Sequence, residues 1–336
     1  MNLLKLRNLH VTFKTEHKKV FAVRGVNFDL RKGEIIGIVG ESGCGKSATA
    51  KALMRLIDVD DGQILFEDID LAKLSEKQMQ KVRGKRIGMI FQDPLSALNP
   101  TMKIGHQIIE AIRLHTNDSR TEAKQKAIDL LNQVGIPDAQ LRYDQYPHEL
   151  SGGMRQRVGI AIALSCDPQI LIADEPTTAL DVTIQAQILA LLKELQHTRN
   201  MSIILITHDL SIVAGLCDRV IVMYAGEIVE EASTEALFET PKHPYTRRLL
   251  QSIPRADVKL TRLKAIKGHP PSLDKTNNYC SFCPRCKDAL NICVLQQPPQ
   301  FEVGDNHFAA CWLYDKRKTN ATTDRAEEAV EKIPSR

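Results

Sequence analysis

Short runs of apolar, often β-branched residues recur up to about residue 240 and alternate with stretches of helical spacing. Several of these runs are apolar on both faces, as strands covered on both sides of a sheet should be. The predicted strands are 34–40, 63–68, 86–91, 169–174 and 202–207. The predicted helices between them are 46–58, 120–134 and 182–198. This alternation predicts an α/β fold with a mainly parallel sheet.

Two regions depart from that alternation. Residues 93–165 carry helix signals and almost no strand signal, which predicts a helical insertion. After about residue 252, proline and cysteine become frequent and the periodicity fades. Residues 268–280 favour a loop, and the polar end at 315–336 favours a loose tail. The chain is therefore predicted to carry an extension at 253–336 after its main domain.

Composition narrows the class of protein. The 336 residues are 43% hydrophobic and 26% charged with a net charge of +4, which excludes a disordered or collagen-like chain. This basic excess is too small to indicate a nucleic-acid surface, so no nucleic-acid partner is predicted. No apolar run approaches the length of a membrane span, and the first ten residues lack a signal-peptide pattern. We therefore expect a cytoplasmic chain that reaches a membrane only through partners.

A glycine-rich motif follows the first predicted sheet strand. Residues 40–47, GESGCGKS, match G-x-x-x-x-G-K-[ST] between a strand and a helix, and this context argues against a chance match. The glycines allow backbone N–H groups to turn toward phosphate oxygens, and the helix N-terminus adds a favourable dipole. Lys46 supplies a charge for the β- and γ-phosphates, and the Ser47 hydroxyl can ligate Mg²⁺.

Two carboxylates end the strand predicted at 169–174. Asp174 and Glu175 would lie at the carboxyl edge of the sheet, where open α/β sheets bind ligands. Asp174 is suited to hold Mg²⁺ through water, and Glu175 to orient or deprotonate an attacking water. Alone, such a pair could equally cap a helix. With the phosphate motif upstream, it predicts nucleoside triphosphate hydrolysis.

The run at 150–157, LSGGMRQR, resembles the signature motif of ATP-binding cassette (ABC) ATPases. Further motifs of that family follow its order over residues 3–252. Their counterparts are Gln92 (glutamine loop), Asp181 in the D-loop at 179–181, His208 (switch histidine) and Phe13 (adenine stacking). The resemblance implies an α/β P-loop fold of the ABC type. Its parts would be a mainly parallel core sheet, an antiparallel β-subdomain, a helical subdomain at about 93–165 and a small C-terminal extension.

The resemblance also implies roles for individual residues. Glu175, His208 and Gln92 would be catalytic, and Mg²⁺ would be held by Ser47, Gln92 and Asp174. The ATP-binding residues would be Phe13, Gly40, Glu41, Ser42, Gly43, Cys44, Gly45, Lys46, Ser47, Ala48, Gln92, Ser151, Gly152, Gly153, Asp174 and Asp181. The signature faces the phosphate loop of another subunit in this family, which implies a head-to-tail dimer. From the residues alone, Phe21 rivals Phe13, and either ring could simply pack the N-terminal strands.

Three segments resemble the ATPase subunits of dipeptide, oligopeptide and nickel ABC importers. They are 93–100 (DPLSALNP), 174–183 (DEPTTALDVT) and 241–246 (PKHPYT). The likeness implies a peripheral ATPase on the cytoplasmic face of the inner membrane that energises di- and oligopeptide import. Its partners would be a second, paralogous ATPase, two permeases and an extracytoplasmic binding protein. The alternatives are nickel, haem or antimicrobial-peptide import, a soluble non-transport ABC ATPase, and a metal-sensing module.

Five of the eight cysteines crowd into the extension, which in a cytosolic chain favours a metal site over disulfides. Cys280, Cys286, Cys293 and Cys311 resemble four cysteines that hold a [4Fe–4S] cluster in some members of the importer family. Thiolates also suit structural zinc, and buried thiols without metal are a third alternative. Cys283 creates C-x₂-C-x₂-C without the fourth ferredoxin cysteine and has no assigned role. The predicted cofactors are thus ATP, Mg²⁺ and a [4Fe–4S] cluster.

Overall fold

The computed structural model describes residues 2–15, 18–93, 97–178, 180–252, 266, 268–275 and 278–316. The chain forms two compact units. The first consists of Met1–Leu4, Leu30–Ile35 and Phe66–Ile206, and the second of Lys5–Asp29, Ile36–Leu65 and Thr207–Arg336. Ala179 of the predicted D-loop and the predicted tail from residue 317 lie outside the described residues.

The elements are numbered in chain order. The strands are β1 (Asn2–Lys14), β2 (Lys19–Arg31), β3 (Ile35–Val39), β4 (Asp61–Phe66), β5 (Ile69–Asp70), β6 (Ile87–Ile90), β7 (Ile170–Asp174), β8 (Ser202–Thr207), β9 (Arg219–Tyr224), β10 (Glu227–Ser233), β11 (Phe301–Gly304) and β12 (His307–Ala309). The helices are α1 (Lys46–Leu53), α2 (Glu76–Gln80), α3 (Ile104–His115), α4 (Arg120–Gln133), α5 (Ala139–Arg142), α6 (Gly152–Ala163), α7 (Val182–Arg199), α8 (Leu210–Leu216), α9 (Thr234–Glu239) and α10 (Pro244–Gln251).

Three parallel strands form the centre of the first unit. β7 pairs with β6 on one side and with β8 on the other, both in parallel register. Every residue of the three strands is buried, which explains why their sequences are apolar on both faces. The predicted α/β class with a mainly parallel core is confirmed.

The predicted helical region lies in the same unit. α3 packs against α4, and both contact α6. Ile104, Ile108 and Ile112 recur at helical spacing and form the buried face of α3. Ser119 begins α4 through a reciprocal capping box with Glu122. None of the helices in the described ranges combines the length and the apolar character that crossing a bilayer requires.

The second unit contains a small sheet and a larger one. The strands of the small sheet that lie in this unit have the order β2-β1-β4, and in the larger sheet β3 runs parallel to β9. β10 pairs antiparallel with β9, with a register shift between Ile228 and Glu230. β12 then pairs with β10, and β11 pairs with β12. The C-terminal extension therefore adds two short edge strands to the sheet of the second unit.

Candidate active site

The phosphate loop, residues 40–47, connects buried β3 to α1 in the second unit. Two of its glycines occupy positions that only glycine fits. A Cβ on Gly40 would lie 2.2 Å from the Met223 carbonyl oxygen, and a Cβ on Gly45 would lie 2.3 Å from that of Ala22. Gly45 also has a φ of 104°, which side chains rarely adopt. These glycines are required because neighbouring backbone approaches the loop closely.

Lys46 points back into the loop that precedes it. The residue is 5% exposed, and its Nζ donates to the carbonyl oxygens of Gly40 at 2.8 Å and Glu41 at 3.1 Å. Within the described part of the chain, no side chain caps the start of α1. Burial raises the pKa of the neighbouring Cys44 thiol, which keeps this thiol neutral. A buried ammonium beside an uncapped helix start suits phosphate oxygens.

The two predicted acidic residues follow β7 in the first unit. Asp174 is the last residue of the strand and is 2% exposed. Glu175 has a φ of 47° in the left-handed region, and its N–H donates to the Ile206 carbonyl oxygen at 2.9 Å. A non-glycine residue rarely adopts this conformation, so the surrounding structure holds Glu175 in a specific orientation.

In the structure, Gln92 contacts the Glu175 carboxylate, and this contact was not predicted from the sequence. Gln92 Nε2 donates to Glu175 Oε2 at 3.0 Å, and Thr178 Oγ1 donates to the same oxygen at 2.9 Å. Two neutral donors on one oxygen fix the orientation of the carboxylate without neutralising its charge. Thr178 lies within the run 174–183, and nothing in that run indicates its bond to Glu175.

The signature residues begin α6 in the same unit. The Ser151 hydroxyl accepts the Met154 N–H at 3.3 Å, and it retains a proton that it can donate. A Cβ on Gly153 would lie 2.8 Å from Ile184 Cγ2, so the glycine permits close approach of α7. Asp181 caps α7 by accepting the Ile184 N–H at 2.9 Å. The signature and the D-loop aspartate therefore start two neighbouring helices.

His208 and Phe13 both lie on the surface of the second unit. His208 is exposed after β8, and the next residue, Asp209, caps α8. Phe13 is 40% exposed near the end of β1. Phe21 is half-buried in β2, and its N–H donates to the Leu273 carbonyl oxygen at 2.8 Å. Phe13 is thus the more accessible ring, and its assignment to adenine stays a prediction.

The predictions of a [4Fe–4S] cluster and of a metal site in the cysteine-rich extension are wrong. In the described ranges, no group of three or more His, Cys, Asp or Glu side chains could hold a metal ion. Burial raises the pKa of Cys286 to about 11 and that of Cys311 to about 12, which keeps both thiols protonated. Burial likewise raises the pKa values of Cys280 and Cys293.

The cysteines form part of an apolar core instead. Cys283 is fully buried there and packs with Trp312 and Leu290. Cys280, Cys286 and Cys293 belong to the same cluster, and the eight cysteines are free thiols. The third alternative, buried thiols without metal, is the one that this packing supports. Identical spacing can serve a small core as well as a ligand set.

Comparison with known proteins defines the class first. A family model described as ABC transporter matches residues 23–178, and one described as oligopeptide/dipeptide transporter, C-terminal region, matches residues 229–293. The solved dimeric structure of the ATP-binding cassette MJ0796, bound to ADP and Pi, is similar with a TM-score of 0.64 and 29% identity. The similarity covers 69% of this chain and 98% of the MJ0796 chain. Fold and phosphate loop together define an ABC ATPase.

Full-length relatives define the branch. The dipeptide transport ATP-binding protein DppD of Bacillus subtilis is 51% identical over 324 residues, 95% of this chain and 97% of the relative. The oligopeptide transport ATP-binding protein OppD of the same organism is 53% identical over 317 residues, 93% of this chain and 88% of the relative. The chain belongs to the family of dipeptide and oligopeptide transport ATP-binding proteins.

Proposed function

We propose that this ABC ATPase hydrolyses ATP at the cytoplasmic face of a membrane to energise the import of dipeptides and oligopeptides. The observation that carries the proposal is the likeness to DppD and OppD, which extends beyond the cassette. Over 90% of this chain aligns with each of them at about half identity, and the match includes the transporter C-terminal region at 229–293. A cassette recruited to another task would have no reason to keep that region.

ATP and Mg²⁺ are the cofactors of this class. The Ser47 hydroxyl and the Asp174 carboxylate are oxygen donors, the ligand type that Mg²⁺ takes, and bound Mg²⁺ would neutralise phosphate charge. Lys46, buried in its loop, binds the phosphates. Glu175 acts as the base for the attacking water, and Gln92 orients its carboxylate through the bond to Oε2.

The active enzyme is a dimer in which the signature of one subunit meets the phosphate loop of the other. The similar MJ0796 cassette is described as a dimer bound to ADP and Pi, which supports this arrangement. The start of α6 at Ser151 offers N–H groups and a hydroxyl to an anion. The partner proposed is a paralogous ATPase, with two permeases and an extracytoplasmic binding protein completing the transporter.

Uptake by intact cells tests the substrate. The gene is deleted, and uptake of a radiolabelled dipeptide, a radiolabelled pentapeptide and nickel is measured. We expect the deletion to abolish uptake of one or both peptides, wild-type chain to restore it, and Lys46→Ala not to restore it. Unimpaired uptake of both peptides would overturn the peptide assignment, and loss of nickel uptake alone would favour the nickel branch.

Composition of the purified complex tests the partners. The chain is isolated with mild detergent from its own membranes, and native mass spectrometry gives the subunit masses. We expect one copy of this chain, one paralogous ATPase and two permeases. Two copies of this chain without a paralogue would contradict the heterodimer.

A further inference from the structure

Glu41, the second residue of the phosphate loop, has its side chain, N–H and carbonyl all engaged. Its carboxylate binds Arg285 through two hydrogen bonds, of 2.6 and 3.0 Å, from the two terminal guanidinium nitrogens. Its N–H donates to the Tyr245 hydroxyl at 2.9 Å. Its carbonyl oxygen accepts from Lys46 Nζ at 3.1 Å. Two of these partners come from beyond residue 240, and the third is the lysine proposed to bind phosphate.

Arg285 is held rigidly where it meets Glu41. Its side chain is 4% exposed, and NH1 also donates to the Tyr224 hydroxyl at 3.3 Å. Burial alone would lower the pKa of Arg285, but the Glu41 carboxylate and the Tyr224 hydroxyl raise it above its ordinary value. A bidentate contact of this kind fixes both the relative orientation of the guanidinium and carboxylate groups and the distance between them.

Tyr245 is anchored as firmly as Arg285. It is fully buried, and its ring centroid lies 4.7 Å from that of Tyr224 and 5.4 Å from that of Phe282. Such packing leaves its hydroxyl one position, directly against the Glu41 N–H. The phosphate loop therefore contacts two side chains, Arg285 and Tyr245, whose own positions are set by packing against buried aromatic residues.

A third part of the chain, residues 270–273, also lies against the phosphate loop. Pro270, Pro271 and Leu273 line, with Glu41 and Cys44, a crevice of about 20 Å³. This volume holds about one water molecule, so the crevice is a packed contact and not a ligand site. The described part of residues 241–316, named here the C-terminal segment, thus contacts the loop at three places.

We propose that Arg285 and Tyr245 are positioning residues for ATP, through which the C-terminal segment sets the geometry of the phosphate loop. The inference rests on the proposed role of residues 40–47 as the phosphate site. The segment fixes Glu41, the Glu41 carbonyl helps fix Lys46, and Lys46 binds phosphate. Nucleotide affinity therefore depends on how this segment packs against the cassette.

The test is ATP binding by the full-length chain and ATP hydrolysis by the assembled transporter. We expect Arg285→Ala to raise the Kd and the KM for ATP about tenfold, because a buried charged contact to the loop is lost. The kcat at saturating ATP should stay within about twofold, since bound phosphate re-forms the loop. Arg285→Lys should recover part of the affinity for ATP because it keeps the positive charge but loses one of the two hydrogen bonds to Glu41.

Two further variants separate positioning from general stability. Tyr245→Phe removes only the acceptor of the Glu41 N–H and should weaken ATP binding about threefold. Arg247→Ala is the matched control, because Arg247 bonds Pro241 and Tyr314 in the same segment and none of its described bonds reaches the loop. Arg247→Ala should lower the Tm while leaving the Kd for ATP unchanged.

The outcomes distinguish this inference from the proposed function. Wild-type ATP affinity in Arg285→Ala and Tyr245→Phe, with loss of binding in Lys46→Ala, overturns the positioning role and leaves the phosphate loop assigned. Equal loss of affinity in Arg247→Ala and Arg285→Ala also overturns it, because the effect would then be general. Undiminished ATP binding in Lys46→Ala rejects the phosphate loop itself, and the inference with it. If Arg285→Ala does not fold, Arg285→Lys and Tyr245→Phe carry the test.

Discussion

Gln92 Nε2 donates a hydrogen bond of 3.0 Å to Oε2 of Glu175, joining the ends of β6 and β7. The two residues lie 83 positions apart in the chain, and parallel pairing of their strands brings them to one edge. The donor is a neutral amide, so the bond orients the carboxylate without forming an ion pair. It also makes the orientation of Glu175 depend on the conformation of the loop that carries Gln92.

Gln92→Ala should therefore slow hydrolysis more than it weakens ATP binding. We expect kcat of the assembled transporter to fall at least about tenfold because the Glu175 carboxylate loses the Gln92 donor that orients it. The matched control is Gln125→Ala, an exposed glutamine that bonds Asp129 on α4. Equal kcat values in Gln92→Ala and Gln125→Ala would show that the bond has no part in catalysis.

Lys46→Ala should weaken ATP binding itself. Removing a buried ammonium that is proposed to bind the phosphates should raise the Kd for ATP by about tenfold or more, as expected for a charge-assisted contact. Lys51→Ala, on the exposed face of the same helix, is the control and should bind like wild type. Isothermal titration with ATP measures both, and tight binding by Lys46→Ala would refute the phosphate contact.

Gly45→Ala should deform the phosphate loop. The new Cβ would lie 2.3 Å from the Ala22 carbonyl oxygen at a φ of 104°, so we expect a loss of about 1–3 kcal/mol in unfolding free energy. ATP binding should be lost with it. Gly159→Ala is the opposite case, because its Cβ meets nothing within 4 Å inside α6 and should stabilise the chain by up to ~1 kcal/mol. Denaturant titration of both variants distinguishes local strain from a general intolerance of alanine.

His243 should make stability fall in mild acid. Burial lowers its pKa from 6.5 to about 4, so the folded chain binds fewer protons than the unfolded chain between these values. His243 therefore contributes to the free energy of unfolding in a pH-dependent way. This contribution is complete above pH 6.5, and up to about 3 kcal/mol of it is lost as the pH falls toward 4. His243→Asn keeps an acceptor for the Tyr245 N–H and removes the titration. The free energy of unfolding should differ less between pH 7 and pH 5 in His243→Asn than in the wild type. Equal differences in the two proteins would contradict this.

The motifs and several of the buried strands could be predicted from the sequence because each is local. The runs at 169–174 and 202–207 became β7 and β8 within one residue, since strands buried on both faces are apolar throughout. The strands β9 to β12 were not predicted. Of these, β11 and β12 are short, and β11 alternates half-buried with exposed residues. The domain boundary at 252/253 stays a prediction.

The contacts of Glu41 could not be predicted in the same way. Arg285 lies 244 positions from Glu41, and nothing in the local pattern around either residue indicates the other. Tyr245 lies in the run 241–246, and nothing in that run indicates its contact with Glu41. The cysteine prediction failed for a different reason, because spacing alone does not distinguish ligands from a small core of buried thiols. Long-range pairing and burial both require the folded chain.

Substitution of Glu175 tests the central claim most directly. Glu175→Gln keeps the shape and the donors around the side chain but cannot accept a proton at ordinary pH. The assembled transporter carrying this variant should bind ATP with wild-type affinity and hydrolyse it at least about a hundredfold more slowly. The measurement is bound nucleotide and released phosphate in one preparation, with ATP remaining uncleaved on the protein. Hydrolysis at the wild-type rate would contradict the assignment of Glu175 as the base and, with it, the account of this site.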